Sequence, residues 1–411
     1  MTEIIPFRAV RPANDKAHLV ASRSYVSYKP ADLKRKLGEN PFSFIHIINP
    51  EFNSNKKSAM NSDRLFNLVK KKYQEFLNSN VLIQDDTNAL YIYQQITPEA
   101  SYSGLICGVS VKEYSTGKIK IHEQTLTARE EVFCKYLDIC DFNAEPVLLT
   151  YTENKADLKL TLSVKMTERP EVDFTTTDRI RHRLWLIHSA DLIKEIQNSF
   201  AQINALYIAD GHHRMASSAK LHEKRNKAVS EKIPLHGFAL AYIISLEDLR
   251  ILPFHRLVKS DKLLDDKKIL ELLDLNFKII RAENSVIPDA KRHWGLKLAS
   301  GWYDLRLKEP YIAHKQVDHL DAVILTKKVL EPIFGILDQK TDKRISFIPG
   351  NEHLDRYEKM VEGGNAAALF TLYPVSHEEL IAVADANEIM PPKSTWIAPK
   401  LRSGLTIMPL S

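Results

Sequence analysis

Leu206-Tyr207-Ile208-Ala209-Asp210-Gly211-His212-His213-Arg214-Met215-Ala216-Ser217-Ser218-Ala219 reads as an apolar strand that ends in Asp-Gly and passes at once into a helix. Gly211 permits a tight turn and the close approach of a ligand to the backbone. A helix that starts here presents unpaired N–H groups and the positive end of its dipole, and both favour phosphate. Arg214 can grip phosphate oxygens with two parallel N–H bonds. His212 and His213 can donate to the same anion or transfer protons. Asp210, at the carboxyl end of the strand, is a candidate ligand for Mg²⁺. The small residues from Ala216 to Ala219 let the helix pack closely on a sheet. The plainer alternative is a strand-turn-helix with surface histidines. Asp, Gly, two His and Arg within five positions favour the functional reading.

Outward from this stretch, strand-like and helical segments alternate. A helix is expected at 191–202, with Leu192, Ile193, Ile196 and Phe200 on one side, and a strand at 237–244. With the strand at 205–209 and its helix, this predicts a β-α-β crossover. Further upstream, Leu65, Phe66, Val69, Tyr73, Phe76 and Leu77 share a helix face that Ser62 or Asp63 can cap. Strands are expected at 89–93, 105–111, 118–122 and 146–151. Thr127 and Glu130 have capping-box spacing, so a helix is expected from about Ala128. The polar stretch 173–183 reads as a loop. Downstream, helices at 263–273 and 319–330 flank a strand at 277–280 and a hairpin turning at Ser300-Gly301. The proline-studded tail 390–409 cannot be helical. These elements predict an α/β chain with mixed sheets. A region over 1–260 carries the chemistry, and a second α/β domain with an extended tail covers 261–411, the boundary falling near Ser260.

Composition sets the wider limits. The chain has 411 residues, 44% apolar and 27% charged, with a net charge of +5. This is an ordinary globular composition with room for two domains. No apolar run reaches the length that spans a bilayer, and the N-terminus is not of secretory type, so a soluble cytoplasmic protein is expected and no membrane partner. Three cysteines, Cys107, Cys134 and Cys140, without a CxxC pair argue against a disulfide framework and a structural zinc site. Lys and Arg are dispersed, and no helix-turn-helix is visible, so no nucleic-acid partner is expected. The slight positive excess suits an anionic substrate. No feature of the sequence sets an oligomeric state.

Three more clusters can carry chemistry. His122-Glu123-Gln124-Thr125 is not a zinc-protease motif, because Leu126 stands where the second His would be. At a strand end, Glu123 can act as a general base or a metal ligand, with His122 beside it; the alternative is a surface glutamate before a loop. In Leu252-Pro253-Phe254-His255-Arg256, the basic pair can complete an anion site or be a solvated strand end. In Met390-Pro391-Pro392-Lys393-Ser394-Thr395-Trp396, the prolines can present Lys393 to an anion, or the tail can simply be tied across a core.

Together with Ile5-Pro6-Phe7-Arg8-Ala9-Val10-Arg11-Pro12, Pro399-Lys400 and Gly404-Leu405, these stretches resemble the domain-of-unknown-function 1015 family, in order and over nearly the whole chain. Where the family usually has a Pro-Pro-Tyr-Asp-type stretch, this chain has Ser22-Arg23-Ser24-Tyr25-Val26-Ser27, so only Tyr25 is retained. The Asp-Gly-His-His-Arg element is also similar to that of the ParB/sulfiredoxin-like fold, in which this turn holds nucleotide phosphates. Free serine kinases of that superfamily carry nearly the same five residues. The resemblance implies a ParB/sulfiredoxin-like nucleotide-binding core.

The expectation is therefore a phosphotransferase, a small-molecule kinase acting on the hydroxyl of free L-serine with ATP, ADP or pyrophosphate as donor and Mg²⁺ as cofactor. Gly211, His213, Arg214, His255, Arg256 and Lys393 would bind phosphate. Asp210 would hold the metal, and Glu123, His122, His212 and His213 would be catalytic. His122-Glu123, Asp210 to Arg214 and His255-Arg256 are expected to meet in one cleft, since each lies near a strand end. A nucleotide-binding regulator needs the same phosphate seat without a general base, and a phosphatase acting on phosphoserine needs water in place of the donor.

Overall fold

The computed structural model describes residues 2–24, 27–226, 234–259, 265–309 and 311–411; Tyr25 and the expected boundary residue Ser260 lie outside them. The chain is a mixed α/β protein whose contacts divide it into two compact units. The first comprises Met1–Lys120, Thr125–Leu249 and Pro399–Ser411, and the second Ile121–Gln124 and Arg250–Ala398.

The first unit is built on a mixed sheet. Its strands are β1 (Ile4–Ile5), β2 (Leu90–Ile96), β3 (Ser101–Ser110), β4 (Ile119–Lys120), β5 (Val147–Tyr151), β6 (Val172–Thr175), β7 (Arg181–Ile187), β8 (Leu206–Asp210) and β9 (Phe238–Ser245). They lie in the order β4-β8-β5-β9-β3-β2-β7-β6, with β1 paired to β3. The helices that matter to the site are α1 (Asp63–Asn78), α2 (Thr127–Cys140), α3 (Ala190–Ala201) and α4 (His212–Arg225). In α1, the Ser62 hydroxyl accepts from the Leu65 amide, and Phe66, Val69, Tyr73 and Phe76 face inward. That is the cap and the face the apolar spacing predicts. These side chains join Val10, Phe44, Phe142 and Ile407 in one core cluster. Each buried residue of this size contributes about 1.5–3 kcal/mol.

Three local expectations are corrected here. The strands on either side of α4 do not form a parallel crossover. β8 pairs antiparallel with β5, which pairs parallel with β9, so β8 and β9 run in opposite directions with β5 between them. Strand-helix-strand alternation does not encode which distant strand fills the gap. Residues 173–183 are not a loop but most of an antiparallel β6–β7 hairpin. Their charges pair across it: Arg181 grips Asp173 at 2.8 and 2.7 Å, while His182 turns inward. The capping box at Thr127 is absent: α2 starts there but is capped at Leu126 with no side-chain bond, and it is the Thr125 hydroxyl that donates to Glu130.

The second unit holds an antiparallel sheet of β10 (Phe254–Val258), β11 (Phe277–Ala282), β12 (His293–Leu298), β13 (Gly301–Leu307), β14 (Ile345–Pro349) and β15 (Ala368–Leu372), in the order β11-β13-β12-β15-β10-β14. The hairpin at Ser300-Gly301 forms, with Leu298 paired to Gly301. Helix α5 (Asp266–Leu273) and a helical run from Asp321 whose Thr326–Leu330 segment widens to a π-helix bring Ile269, Leu273, Ile324 and Leu330 to a core around Trp294 and Phe370. The tail is non-helical and includes two short strands, Trp396–Ala398 and Met408–Pro409. Among the described residues, no helix is long and apolar enough to cross a membrane.

Candidate functional site

The turn between β8 and α4 is shaped by Gly211. Its φ of +103° lies in the region that side-chain-bearing residues avoid. Leu206, Ile208 and Ala209 are buried and hold the strand in the sheet, so the turn emerges at a fixed place. The first turn of α4 then closes on Gly211, whose carbonyl accepts from the Arg214 and Met215 amides. The N-cap is Gly211 itself, which has no side chain with which to cap the helix. On its buried face, α4 presents Met215, Ala216, Ser217, Ser218 and Ala219, and the small residues from Ala216 to Ala219 allow close packing against α2. The Ser217 hydroxyl lies 2.7 Å from the His213 carbonyl and 3.2 Å from that of Glu130, which ties the two helices together.

Arg214 folds back over the turn. Its Nη1 donates to the Pro146 carbonyl at 2.5 Å and its Nη2 to Asp210 Oδ2 at 2.9 Å. A methyl group on Gly211 would stand 2.8 Å from the guanidinium, so glycine is what lets the arginine lie here. Lys400 Nζ lies 3.5 Å from the other oxygen, Asp210 Oδ1. Partial burial opposes ionisation of Asp210, but the charges of Lys400 and Arg214 outweigh it and hold the carboxyl below the ordinary carboxylate range. His213 is pulled below the ordinary imidazole value by burial and by the Arg129 charge, with Glu130 acting the other way. It is therefore neutral at pH 7, and its Nδ1 has no hydrogen-bond partner among the described residues. His212 is buried.

The remaining predicted residues belong to the second unit. His122 is buried and its carbonyl accepts from the Met390 amide at 2.9 Å, which joins the His122-Glu123 segment to the proline-rich stretch; Glu123 is half-buried. His255 and Arg256 are not a solvated strand end but lie inside β10. His255 Nδ1 accepts from the Leu372 amide at 3.1 Å, and burial with the Arg256 charge lowers its pKa to about 4. Arg256 donates to the Phe254 carbonyl at 2.7 Å and to Gln339 at 3.2 Å, lies over the Phe347 ring, and is lowered to about 9 by burial. Lys393, with a φ of +56°, holds its ammonium 5.3 Å from the centre of the Phe254 ring.

The structure thus gathers Asp210 to Arg214 in the first unit and His122, Glu123, His255, Arg256 and Lys393 in the second. Lys400 is a neighbour of the turn that local patterns do not announce. The Pro146 carbonyl that seats Arg214 is equally invisible in the sequence. The family-like segment from Ile5 to Pro12 is structural in large part. Arg11 pairs with the buried Asp85 at 2.7 Å, and the Tyr91 hydroxyl donates to the same carboxylate at 2.8 Å. Among the described residues, no group of three or more His, Cys, Asp or Glu side chains is arranged to hold a metal ion.

A family model described as "Protein of unknown function (DUF1015)" matches residues 4–323. No curated protein matches the sequence. Several solved structures are similar at low identity. A free serine kinase in complex with AMP has 14% identity and a TM-score of 0.36, covering 74% of this chain and 91% of that one. C-terminally truncated SbnI from Staphylococcus aureus has 15% and 0.40, over 74% and 87%. A conserved hypothetical protein from Pyrococcus furiosus has 15% and 0.35, over 74% and 95%. Scores this low carry no argument about chemistry.

Proposed function

The chain belongs to the DUF1015 family, and from the geometry of the Gly211 turn we propose that it is a phosphotransferase, binding a phosphoryl donor at the start of α4 and acting on the hydroxyl of a small acceptor, free L-serine first. One observation carries this reading: Arg214 lies across a glycine turn at the start of a helix whose N-cap is glycine, and shares Asp210 with a second cation, Lys400. Phosphoryl transfer depends on cradling phosphate, neutralising charge and orienting a nucleophile, with little covalent work for the protein. The amides at the start of α4 and Arg214 suit the first two tasks. His213, neutral and with an unpaired ring nitrogen, suits proton handling or a hydrogen bond to the donor.

Mg²⁺ is commonly held by one or two carboxylates together with substrate phosphates, whose charge it neutralises. Asp210 is the one carboxylate of the turn and is kept ionised, so it fits a metal that arrives with the donor rather than a resident one. Glu123 is assigned to orient or deprotonate the acceptor hydroxyl, with His122 beside it. Lys393 is assigned to the anion through its charge.

The test is to incubate the protein with serine and ATP, ADP or pyrophosphate, with and without Mg²⁺, and to assay O-phosphoserine. Arg214→Ala is expected to weaken donor binding by about 1.5–3 kcal/mol, the scale of a charge-assisted hydrogen bond. Unchanged affinity in a folded variant overturns the seat. Tight nucleotide binding without phosphoserine from any donor replaces the kinase by a nucleotide-binding regulator, and release of phosphate from phosphoserine replaces it by a phosphatase.

A further inference from the structure

We propose that Lys400 is a second phosphate-binding cation of the Gly211 turn, delivered by the final residues of the chain, and that the seat is therefore matched to condensed phosphates. This rests on the phosphate-seat reading above. Asp210 is bracketed from two sides: Arg214 at 2.9 Å from Oδ2 and Lys400 at 3.5 Å from Oδ1. Lys400 and Asp210 are each nearly half exposed, and an ion pair of that kind is worth only about 0–1 kcal/mol. The pair is therefore weak enough to exchange for an incoming anion.

The chain beyond Lys400 is held far more firmly than the pair itself. Arg402 is buried and donates to both oxygens of Asp178 at 2.8 and 2.7 Å, to Thr176 at 3.2 Å and to His182 at 3.3 Å. Ser403 exchanges backbone hydrogen bonds with Ser22 at 2.8 and 3.2 Å, and Ile407 does so with Val10 at 2.8 Å each way. Gly404, at a φ of +77°, lets the chain pass the Phe44 ring where a methyl group would come within 2.4 Å. Met408 and Pro409 pair with Asn143 and Phe142. The backbone two residues beyond Lys400 is fixed, while its long side chain reaches a solvent-facing carboxylate. Asp210 thereby keeps two cations apart and in place until a more highly charged anion takes them over. Two cations on opposite oxygens of one carboxylate can each meet one phosphoryl group of a pyrophosphate unit, which a monophosphate cannot provide.

The test is calorimetric titration of the full chain with inorganic pyrophosphate and with inorganic phosphate. Wild type, Arg214→Ala, Lys400→Ala and Lys400→Arg are compared, and the melting temperature of each unliganded protein is recorded. Lys400→Ala is expected to weaken pyrophosphate binding about tenfold and to make it less salt-dependent, with the melting temperature unchanged. Lys400→Arg is expected to recover most of the affinity, and phosphate to bind more weakly than pyrophosphate throughout. If Arg214→Ala binds poorly but Lys400→Ala binds like wild type, this inference fails while the seat stands. If Lys400→Ala melts early and Lys400→Arg does not recover binding, the lysine is structural and the inference fails. If wild type binds neither pyrophosphate nor a nucleotide, the seat itself is wrong and the inference falls with it.

Discussion

Gly211→Ala should separate the conformational role of the turn from its chemistry. Two effects add. An L-residue forced into the left-handed region is destabilised by roughly 1–2 kcal/mol, and a φ of +103° lies well past the centre of that region. The added methyl group would also meet the Arg214 guanidinium at 2.8–2.9 Å, closer than real contacts allow. The arginine is a flexible side chain and will yield, but in doing so it leaves the Pro146 carbonyl, a charge-assisted bond worth about 1.5–3 kcal/mol. Its pair with the half-exposed Asp210 adds about 0–1 kcal/mol at most. The expected loss is about 2.5–6 kcal/mol, read as a shift in the urea unfolding midpoint, with pyrophosphate binding lost alongside. The decisive measurement is a double-mutant cycle. In an Arg214→Ala background the new methyl group has lost its clash partner, so Gly211→Ala should cost only the backbone strain of about 1–2 kcal/mol. An equal effect in both backgrounds, or a single-variant effect under about 0.5 kcal/mol, the range of ordinary surface changes, refutes the account of how Arg214 is seated.

Two other outcomes are expected. Glu123→Gln should reduce turnover about 10²–10⁴-fold while donor affinity is unchanged, as for loss of a general base; full activity removes Glu123 from that role. Stability should also fall with acid because of His182, which burial and the Arg402 charge lower from 6.5 to about 3. Folded His182 stays neutral below pH 6.5 while the unfolded chain takes up a proton. Stability is therefore full above that value and declines by up to about 1.4 kcal/mol per pH unit down to about pH 3. Denaturation series at several pH values should show this slope flattened in His182→Gln, and an unaltered slope would mean the histidine is not held neutral.

The parts of the fold that were legible are those in which a segment signals its own state. The apolar face of α1 with Ser62 ahead of it, the strand-to-helix switch at Gly211 and the hairpin at Ser300-Gly301 are all of this kind. What a segment pairs with is a different matter. Residues 173–183 look like a loop because Asp173, Arg181 and Arg183 are charged. In the fold these charges lie on one face of a hairpin and satisfy one another, so polarity there reports an exposed face and not missing structure. The supposed parallel crossover fails for the same reason, since β5 enters between β8 and β9 from well upstream and sets their directions.

The candidate site divides along the same line. Asp210, Gly211 and Arg214 are contiguous, so their chemistry can be read from order alone; the left-handed glycine, the folded-back arginine and the ion pair are consequences of that order. Lys400 reaches the same turn only because the tail is bound by Arg402, Ser403 and Ile407 to strands and loops from the first half of the chain. Its local surroundings, Pro399 before it and Leu401 after, contain nothing of this. Arg256 shows the converse case. A basic pair at the end of an apolar run suggests an anion site or a solvated strand end, yet β10 is buried along its whole length, so both residues are enclosed. Among the described residues its guanidinium is received by the Phe254 carbonyl, Gln339 and the Phe347 ring rather than by a carboxylate. A lone charge held that way gains little for stability. A buried arginine kept on such terms is thus evidence about its surroundings before it is evidence about a ligand, whereas the half-exposed pair at Asp210 can still change partners.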